Sequence, residues 1–306
     1  MKINKEDVCI FIPCLNEAPT IGGLIKEFKK LGFGNILIMD GHSTDGTPDI
    51  ARKLGVTVRT QTGTGKGNAI IEAIDFIDRP YVIMLDGDGT YLPRDAEKMV
   101  RPLYLGFDHV IGDRLINAEK GAFKLLNRTG NHVINLMFKL AHSRDLHDIL
   151  SGYRAFTLES IRQLHLKEEG FEIETEITAE CVRNGQRIMV VPIRYLKRPG
   201  TATKLSPFHD GYKIIRTIIR LAKINNPMFY FGMIGVVLMF AGLLSGIYVV
   251  YEWFHNIEHI PFTMLTVLLI TMGFMIFMFG IISDMILVFH REVLREIQDL
   301  KPPKKP

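Results

Sequence analysis

Two stretches of this chain, positions 228–251 and 262–283, carry no charged residue at all. Each is longer than the about 20 helical residues that cross a hydrocarbon core of about 30 Å. The link between them, 252–261, holds no Lys or Arg, whereas Arg216, Arg220 and Lys223 precede the first stretch and Arg291, Arg295, Lys301, Lys304 and Lys305 follow the second. Basic flanks around a non-basic turn predict a two-span membrane hairpin with both chain ends cytoplasmic. Tyr248, Tyr251 and Trp253 beside the turn fit an interfacial aromatic belt. Asp284, at the inner end of the second stretch, reads as an interfacial residue rather than part of an ion pathway.

Charged residues are spread through the sequence ahead of this module. The expected division is therefore an α/β domain over 1–206, an interfacial amphipathic helix over 207–226, the two spans within 227–290, and a basic tail over 291–306. Residues 1–7 are polar and lack an apolar core, so no cleavable signal peptide is expected and the first domain should stay in the cytoplasm. Lys and Arg number 37 against 33 Asp and Glu, a net charge of +4 that is too small to argue for a nucleic-acid partner. Cys9, Cys14 and Cys181 have neither a disulfide framework nor a zinc spacing, and read as small core residues in a reducing compartment.

Short apolar runs at 8–12, 36–39, 56–58 and 81–85 alternate with helical patterns. Ile21, Leu24, Ile25, Phe28 and Leu31 recur at helical spacing, after Pro19 and Thr20 where such a helix would start. A Gly-rich loop leads into a helix around 68–77. This order predicts βαβ units and a parallel sheet buried on both faces. Further along, a strand is expected at 109–111, an amphipathic stretch at 120–140, an ordered segment at 151–156, a helix near 174–184 and a strand near 187–193. Before the first span, Lys213, Arg216, Arg220 and Lys223 share one helical face. Tyr212, Ile215, Ile218, Ile219 and Ala222 share the other, a pattern suited to the headgroup region.

Asp86-Gly87-Asp88 follows directly on the run 81–85. Ligands of open parallel sheets bind outside the carboxyl ends of strands, and residues two apart on extended chain face the same way. Two such carboxylates suit Mg²⁺ or Mn²⁺ sharing its remaining positions with phosphate oxygens. An EF-hand is excluded, since the later ligand positions are missing. Asp40 and Glu17 also stand at or just past strand ends, and carboxylates gathered on one sheet edge are costly to explain by packing.

The runs I-P-C-L-N-E at 12–17, M-D-G-H-S-T-D-G-T at 39–47, G-K-G-N-A at 65–69 and L-D-G-D-G-T at 85–90 resemble, in order, the family-2 glycosyltransferases of the Rossmann-like, mostly parallel GT-A fold. The resemblance implies that Pro13, Glu17 and Asp40 hold the nucleobase of a nucleotide-sugar donor. It further implies that Asp86 reaches the ribose or a metal ion, and that Asp88 binds the metal. The Gly-rich loop is not a P-loop, because Thr60 stands where the first Gly belongs and Gly67 where Ser or Thr should follow Lys66. Lys66, near a helix start, is a candidate for the nucleotide side of the site.

Positions 147–156, His-Asp-Ile-Leu-Ser-Gly-Tyr-Arg-Ala-Phe, resemble the D-x-x-S-G-F-R segment of polyprenyl-phosphate glycosyltransferases, including dolichyl-phosphate mannose and glucose synthases. Positions 198–205 resemble their R-x-x-G-x-S-K-L segment, with one residue fewer between Arg198 and Gly200 and with Thr203 in place of Ser. The resemblance implies an acceptor-phosphate set of Arg114, Arg128, Arg198 and Lys204. Asp148 would orient those cations or assist in proton handling, beside Asp86 and Asp88 as the catalytic acids. A lipid phosphate is already anionic near neutral pH, so its attack needs charge screening and positioning more than a strong base. The expected reaction is an inverting transfer from a UDP- or GDP-sugar to a polyprenyl phosphate at the bilayer. A processive polysaccharide synthase would carry Q-x-x-R-W, and the sole Trp is Trp253. Transfer to another lipid-linked acceptor, a non-catalytic nucleotide-sugar scaffold, and homo-oligomerisation through the hairpin all stay open.

Overall fold

The computed structural model describes residues 3–123, 125–199 and 207–299. The chain forms two compact units, Met1–Ile218 and Ile219–Pro306.

The first unit is built on seven strands: β1 Val8–Cys14, β2 Ile36–Asp40, β3 Thr57–Thr60, β4 Tyr81–Met84, β5 His109–Ala118, β6 Arg154–Thr157 and β7 Ile188–Tyr195. Their order across the sheet is β3-β2-β1-β4-β6-β5-β7. Every residue of β1 and β2 is buried, as the unbroken apolar runs require of strands covered on both faces. Alternate residues of β1 serve opposite cores: Val8, Ile10, Ile12 and Cys14 enter one cluster, Cys9 and Phe11 the other. The first cluster is closed by α1 (Ala18–Lys30), α2 (Thr47–Lys53) and α4 (Ala96–Tyr104). The second is closed by α3 (Lys66–Ala73), α6 (Leu158–Arg162) and α7 (Ile173–Arg183). The helix α5 (Leu125–His142) turns Ile134, Phe138 and Ala141 inward.

The sheet is parallel from β3 to β4 and again between β5 and β7, but β6 runs antiparallel to both β4 and β5. No pattern in the sequence announces this insertion. It places the segment after Asp148 against the end of β4, from which Asp86 and Asp88 emerge. The strand expected at 56–58 lies instead at Thr57–Thr60, an edge strand with little burial. The strand expected at 109–111 runs on to Ala118.

The helix α8 (Pro207–Asn225) has its covered stripe rotated from the expected one. Asp210, Ile214, Thr217, Ile218, Leu221 and Ala222 are buried, whereas Tyr212 is 68% exposed. Thr217 Oγ1 donates to Glu168 Oε1 at 3.0 Å. Arg216, Arg220 and Lys223 face outward as expected.

The second unit contains α9 (Pro227–Phe254) and α10 (Ile260–Asp299). Both are long and apolar enough to cross a membrane, α9 over its 28 residues and α10 over Ile260–Phe289. Asn226 caps α9 by accepting from the Phe229 amide, with Pro227 at the first helical position. The expected second span ended before Asp284, but α10 continues through it as 40 residues, about 60 Å of helix. The two helices meet through small residues. A Cβ added to Gly235 would lie 2.6 Å from the Gly273 carbonyl oxygen, and one at Gly242 would lie 2.7 Å from Ile270. Nearby, the hydroxyls of Ser245 and Thr266 are 2.8 Å apart. Gly235→Leu is therefore expected to open the hairpin. In membranes, oxidative cross-linking of a Ser245→Cys, Thr266→Cys pair should fall to a small fraction of its level with Gly235 intact; undiminished cross-linking would refute the close packing.

Candidate active site

The loops that follow β1 and β2 brace each other. The Asn16 amide donates to Ser43 Oγ at 2.8 Å, the Thr44 amide to Asn16 Oδ1 at 2.8 Å, and the Glu17 amide to Thr47 Oγ1 at 2.8 Å. Asn16 and His42 adopt the left-handed conformation, at φ of 51° and 68°. Asp45 accepts from the Ala18 and Thr47 amides and the Thr47 hydroxyl. Burial acts to raise its pKa, and these hydrogen bonds outweigh it to leave the carboxyl below its ordinary value. Asp40, 3% exposed, accepts from the Ser43 amide through Oδ2, and its buried Oδ1 has no protein partner among the described residues. Gln61, also 3% exposed, leaves Oε1 without a protein partner as well. Buried acceptors of this kind are normally satisfied.

Asp86 and Asp88 leave the end of β4 on the same edge. Asp88 Oδ1 accepts from the Thr90 amide at 3.1 Å and its hydroxyl at 2.6 Å, while Oδ2 lies 3.6 Å from Arg198 Nη1. Burial first, and then the negative charge of Asp86, push the Asp88 carboxyl above its ordinary value. Asp86 pairs with Lys66, the first residue of α3, and Lys66 Nζ also meets Glu174 Oε1 at 2.5 Å. Burial acts to lower the pKa of this ammonium, but the two carboxylates outweigh it and hold it above its usual value. Lys66 thus stands at the start of α3, as the sequence suggested, and joins two carboxylates there.

The glycines around Lys66 serve a close backbone crossing. The Gly67 amide donates to the Glu169 carbonyl at 2.8 Å, and a Cβ at Gly67 would fall inside the Glu168 carbonyl oxygen. A Cβ at Gly65, where φ is 93°, would likewise clash with the Glu169 carbonyl oxygen. Gly67→Ala must push this backbone aside, costing about 1–3 kcal/mol and dislodging Lys66. A Tm equal to that of the parent protein would show that the crossing yields freely.

On β5, Arg114 is gripped by Asp148 along one edge: Nε to Oδ2 at 2.7 Å and Nη2 to Oδ1 at 2.8 Å, with the Arg114 amide also reaching Oδ2 at 3.1 Å. Asp148 is fully buried and Arg114 nearly so. The guanidinium also lies 5.6 Å from the Phe123 ring and 5.4 Å from the Tyr195 ring. Burial opposes its charge, and Asp148 reverses that to hold the pKa well above the usual value. Arg198 Nη2 donates to Glu17 Oε1 at 2.7 Å, tying the segment after β7 to the first loop.

Pro13, Glu17, Lys66, Asp86, Asp88, Arg114 and Arg198 line one cavity of about 320 Å³, within the size range of ligand sites. Asp40 precedes Gly41 and Asp148 holds Arg114, and both Gly41 and Arg114 line it. Arg128 is exposed on α5 and does not line the cavity. Lys204 lies outside the described residues. Sequence reasoning missed Glu174, Gln61 and Tyr195, all of which line the cavity. Glu174 belongs to the helix expected near 174–184, whose residues Ile173–Cys181 are wholly buried, acids included.

The acidic pair fits a divalent cation. Asp88 is destabilised as an anion by burial and by Asp86, a cost that a shared dication would relieve. No cluster of three or more His, Cys, Asp or Glu able to hold a metal occurs among the described residues, so the remaining ligands would come from a phosphorylated substrate.

Comparison with known proteins matches residues 9–164 to Glycosyl transferase family 2, slightly more than half of the chain. The chain belongs to glycosyl transferase family 2. It is a glycosyltransferase of the GT-A fold with a C-terminal hairpin of two apolar helices, and residues 226–287 match the GtrB C-terminal hairpin. It is 47% identical over 299 residues to glycosyltransferase AglJ of Haloferax volcanii, covering 97% of this chain and 99% of that one. It is 32% identical over 220 residues to the dolichyl-phosphate hexose transferase of the same organism, covering 71% and 94%. A solved structure of glucosyl-3-phosphoglycerate synthase from Mycobacterium tuberculosis, in complex with Mn²⁺ and UDP-glucose, superposes with a TM-score of 0.57. It is 20% identical, covering 71% of this chain and 78% of that one, and so shares the fold.

Proposed function

We propose that this glycosyltransferase moves a hexose or N-acetylhexosamine from a UDP- or GDP-sugar onto a polyprenyl (dolichyl) phosphate, with inversion at the anomeric carbon. The observation that carries the reading is that one cavity is walled by both the Asp86/Asp88 pair and the guanidinium groups of Arg114 and Arg198. The relationship to a dolichyl-phosphate hexose transferase, and two helices able to cross a membrane, support a lipid acceptor. Asp86 and Asp88 would hold Mg²⁺ or Mn²⁺, which when bound supplies positive charge to a departing nucleoside diphosphate.

The protein's own groups do the rest. Pro13, Glu17 and the Asp40 region receive the nucleoside. Arg114, whose Nε and Nη2 are taken by Asp148, offers its Nη1 edge to an acceptor phosphate. Asp148 orients that cation; engaged by Arg114 at two oxygens, it is a poor candidate for a general base. Arg198, between Glu17 and Asp88, screens the approach of one anion to another. The catalytic unit and both chain ends lie on the cytoplasmic side, with the α9–α10 turn outside.

Incubating the purified protein with polyprenyl phosphate, Mn²⁺ and a panel of UDP- and GDP-sugars tests the reading. One donor should be consumed, releasing nucleoside diphosphate and a phosphate-linked sugar of opposite anomeric configuration. Retained configuration, or no transfer to polyprenyl phosphate from any donor, would overturn it.

A further inference from the structure

Among the described residues the largest fully buried side chain is Arg154, the first residue of β6, and it does not line the active-site cavity. Its guanidinium has five N–H donors, and the structure gives each an acceptor. Nε donates to the Ser151 carbonyl at 2.8 Å. Nη2 donates to the carbonyls of Ile149 at 2.6 Å and Glu174 at 3.0 Å. Nη1 donates to Thr178 Oγ1 at 2.9 Å and lies 3.3 Å from His109 Nε2. Burial, and then the charge of Arg154, hold the His109 imidazole well below its ordinary pKa, so the ring is neutral and accepts at Nε2. All five hydrogen-bond partners are uncharged, and burial outweighs the charge of nearby Glu174 to lower the guanidinium pKa. A buried cation hydrogen-bonded only by neutral groups is costly, so its retention calls for a role that an apolar residue would not fill.

Its partners belong to the two halves of the site. The carbonyls of Ile149 and Ser151 belong to the turn that begins at Asp148, the residue that grips Arg114. The same turn presses Gly152 against Asp86, so closely that a Cβ there would stand 2.5 Å from Asp86 Oδ2. The Glu174 carbonyl and Thr178 hydroxyl belong to the first turns of α7, and the Glu174 side chain holds Lys66 against Asp86. We infer that Arg154 is a positioning residue that sets both halves at once: the Asp148–Arg114 clamp through 149–151, and the Glu174–Lys66–Asp86 network through α7. It touches no substrate. Its effect passes through the backbone of the two segments that its guanidinium joins.

The test uses the full-length protein and chemical probes, so it needs no knowledge of the donor sugar. Acetylation by an N-hydroxysuccinimide ester reports Lys66, whose side chain is 13% exposed, and phenylglyoxal reports Arg114, at 10%. Exposed Lys53 and Arg101 serve as controls within the same molecule. In Arg154→Gln, labelling of Lys66 and Arg114 should both rise about fivefold or more, the change expected for a local opening that is easier by about 1 kcal/mol. Labelling of Lys53 and Arg101 should hold constant. Arg154→Lys, with three donors in place of five, should restore part of the protection at both sites. Thr178→Val, which removes one acceptor, should raise both rates to a lesser degree. A rise at only one of the two sites would disprove the coupling. Should Arg154→Gln fail to fold, while Arg154→Lys and Thr178→Val label as the parent does, Arg154 is a packing residue only and the inference is overturned.

Discussion

Asp88→Asn is expected to lower kcat by about 10²–10³-fold, the usual cost of removing one charge-stabilising group, without lowering the unfolding temperature. The two halves of this expectation have one cause. Burial and the neighbouring Asp86 raise the Asp88 pKa, so the folded chain binds that proton more tightly than the unfolded chain does. The resulting cost is absent below the unfolded pKa and complete above the folded one, and stability falls as pH rises between them. At neutral pH asparagine removes that cost, while its carbonyl can still accept from the Thr90 amide and hydroxyl. Thermal unfolding and sugar transfer measured on the same preparation decide the matter. A marked loss of stability would mean that Asp88 is a structural anion, and retained turnover would remove it from the reaction.

Asp148→Ala should act in the opposite way on stability. It strands the Arg114 guanidinium in a buried site, and breaking a buried ion pair from one side costs about 3–5 kcal/mol. The paired change Asp148→Leu with Arg114→Met should recover much of that loss, since a buried pair replaced by apolar groups is often neutral or better. Sugar transfer should not recover with it, because the cation proposed to meet the acceptor phosphate is gone. Denaturant titration of the three variants gives the stability comparison. Transfer restored in the double variant would show that Arg114 serves the fold alone.

How much of this was legible in the sequence follows from what each element must do. β1, β2 and β4 are covered on both faces, so they had to be apolar runs, and the acids just past their ends stood out. The hairpin helices were equally plain, because two charge-free runs of this length stand out from the rest of the sequence. β6 was not readable as an antiparallel insertion, since periodicity reports which face a residue takes and not which strand lies beside it. The Asp148–Arg114 clamp joins positions 34 apart on two elements, and no local pattern records such a pairing. Glu174 was hidden for another reason. The acids of α7 resemble a solvated face, yet Glu176 accepts from the Lys167 and Glu168 amides and Glu180 pairs with Arg183. Partnered acids can be buried, and composition alone cannot say which are partnered.

The place of β6 in the sheet also bears on how the protein is made. A nascent chain that has left the ribosome only as far as residue 150 holds β1 to β4 but not the strand that covers the open side of β4. Until Arg154–Thr157 emerges, β4 is a bare edge carrying two acids at its tip, and β5 has no bridge to it. The joining of β4 to β5, and with it the approach of Asp148 and Arg114 to Asp86 and Asp88, is therefore a late event in synthesis that awaits one four-residue strand.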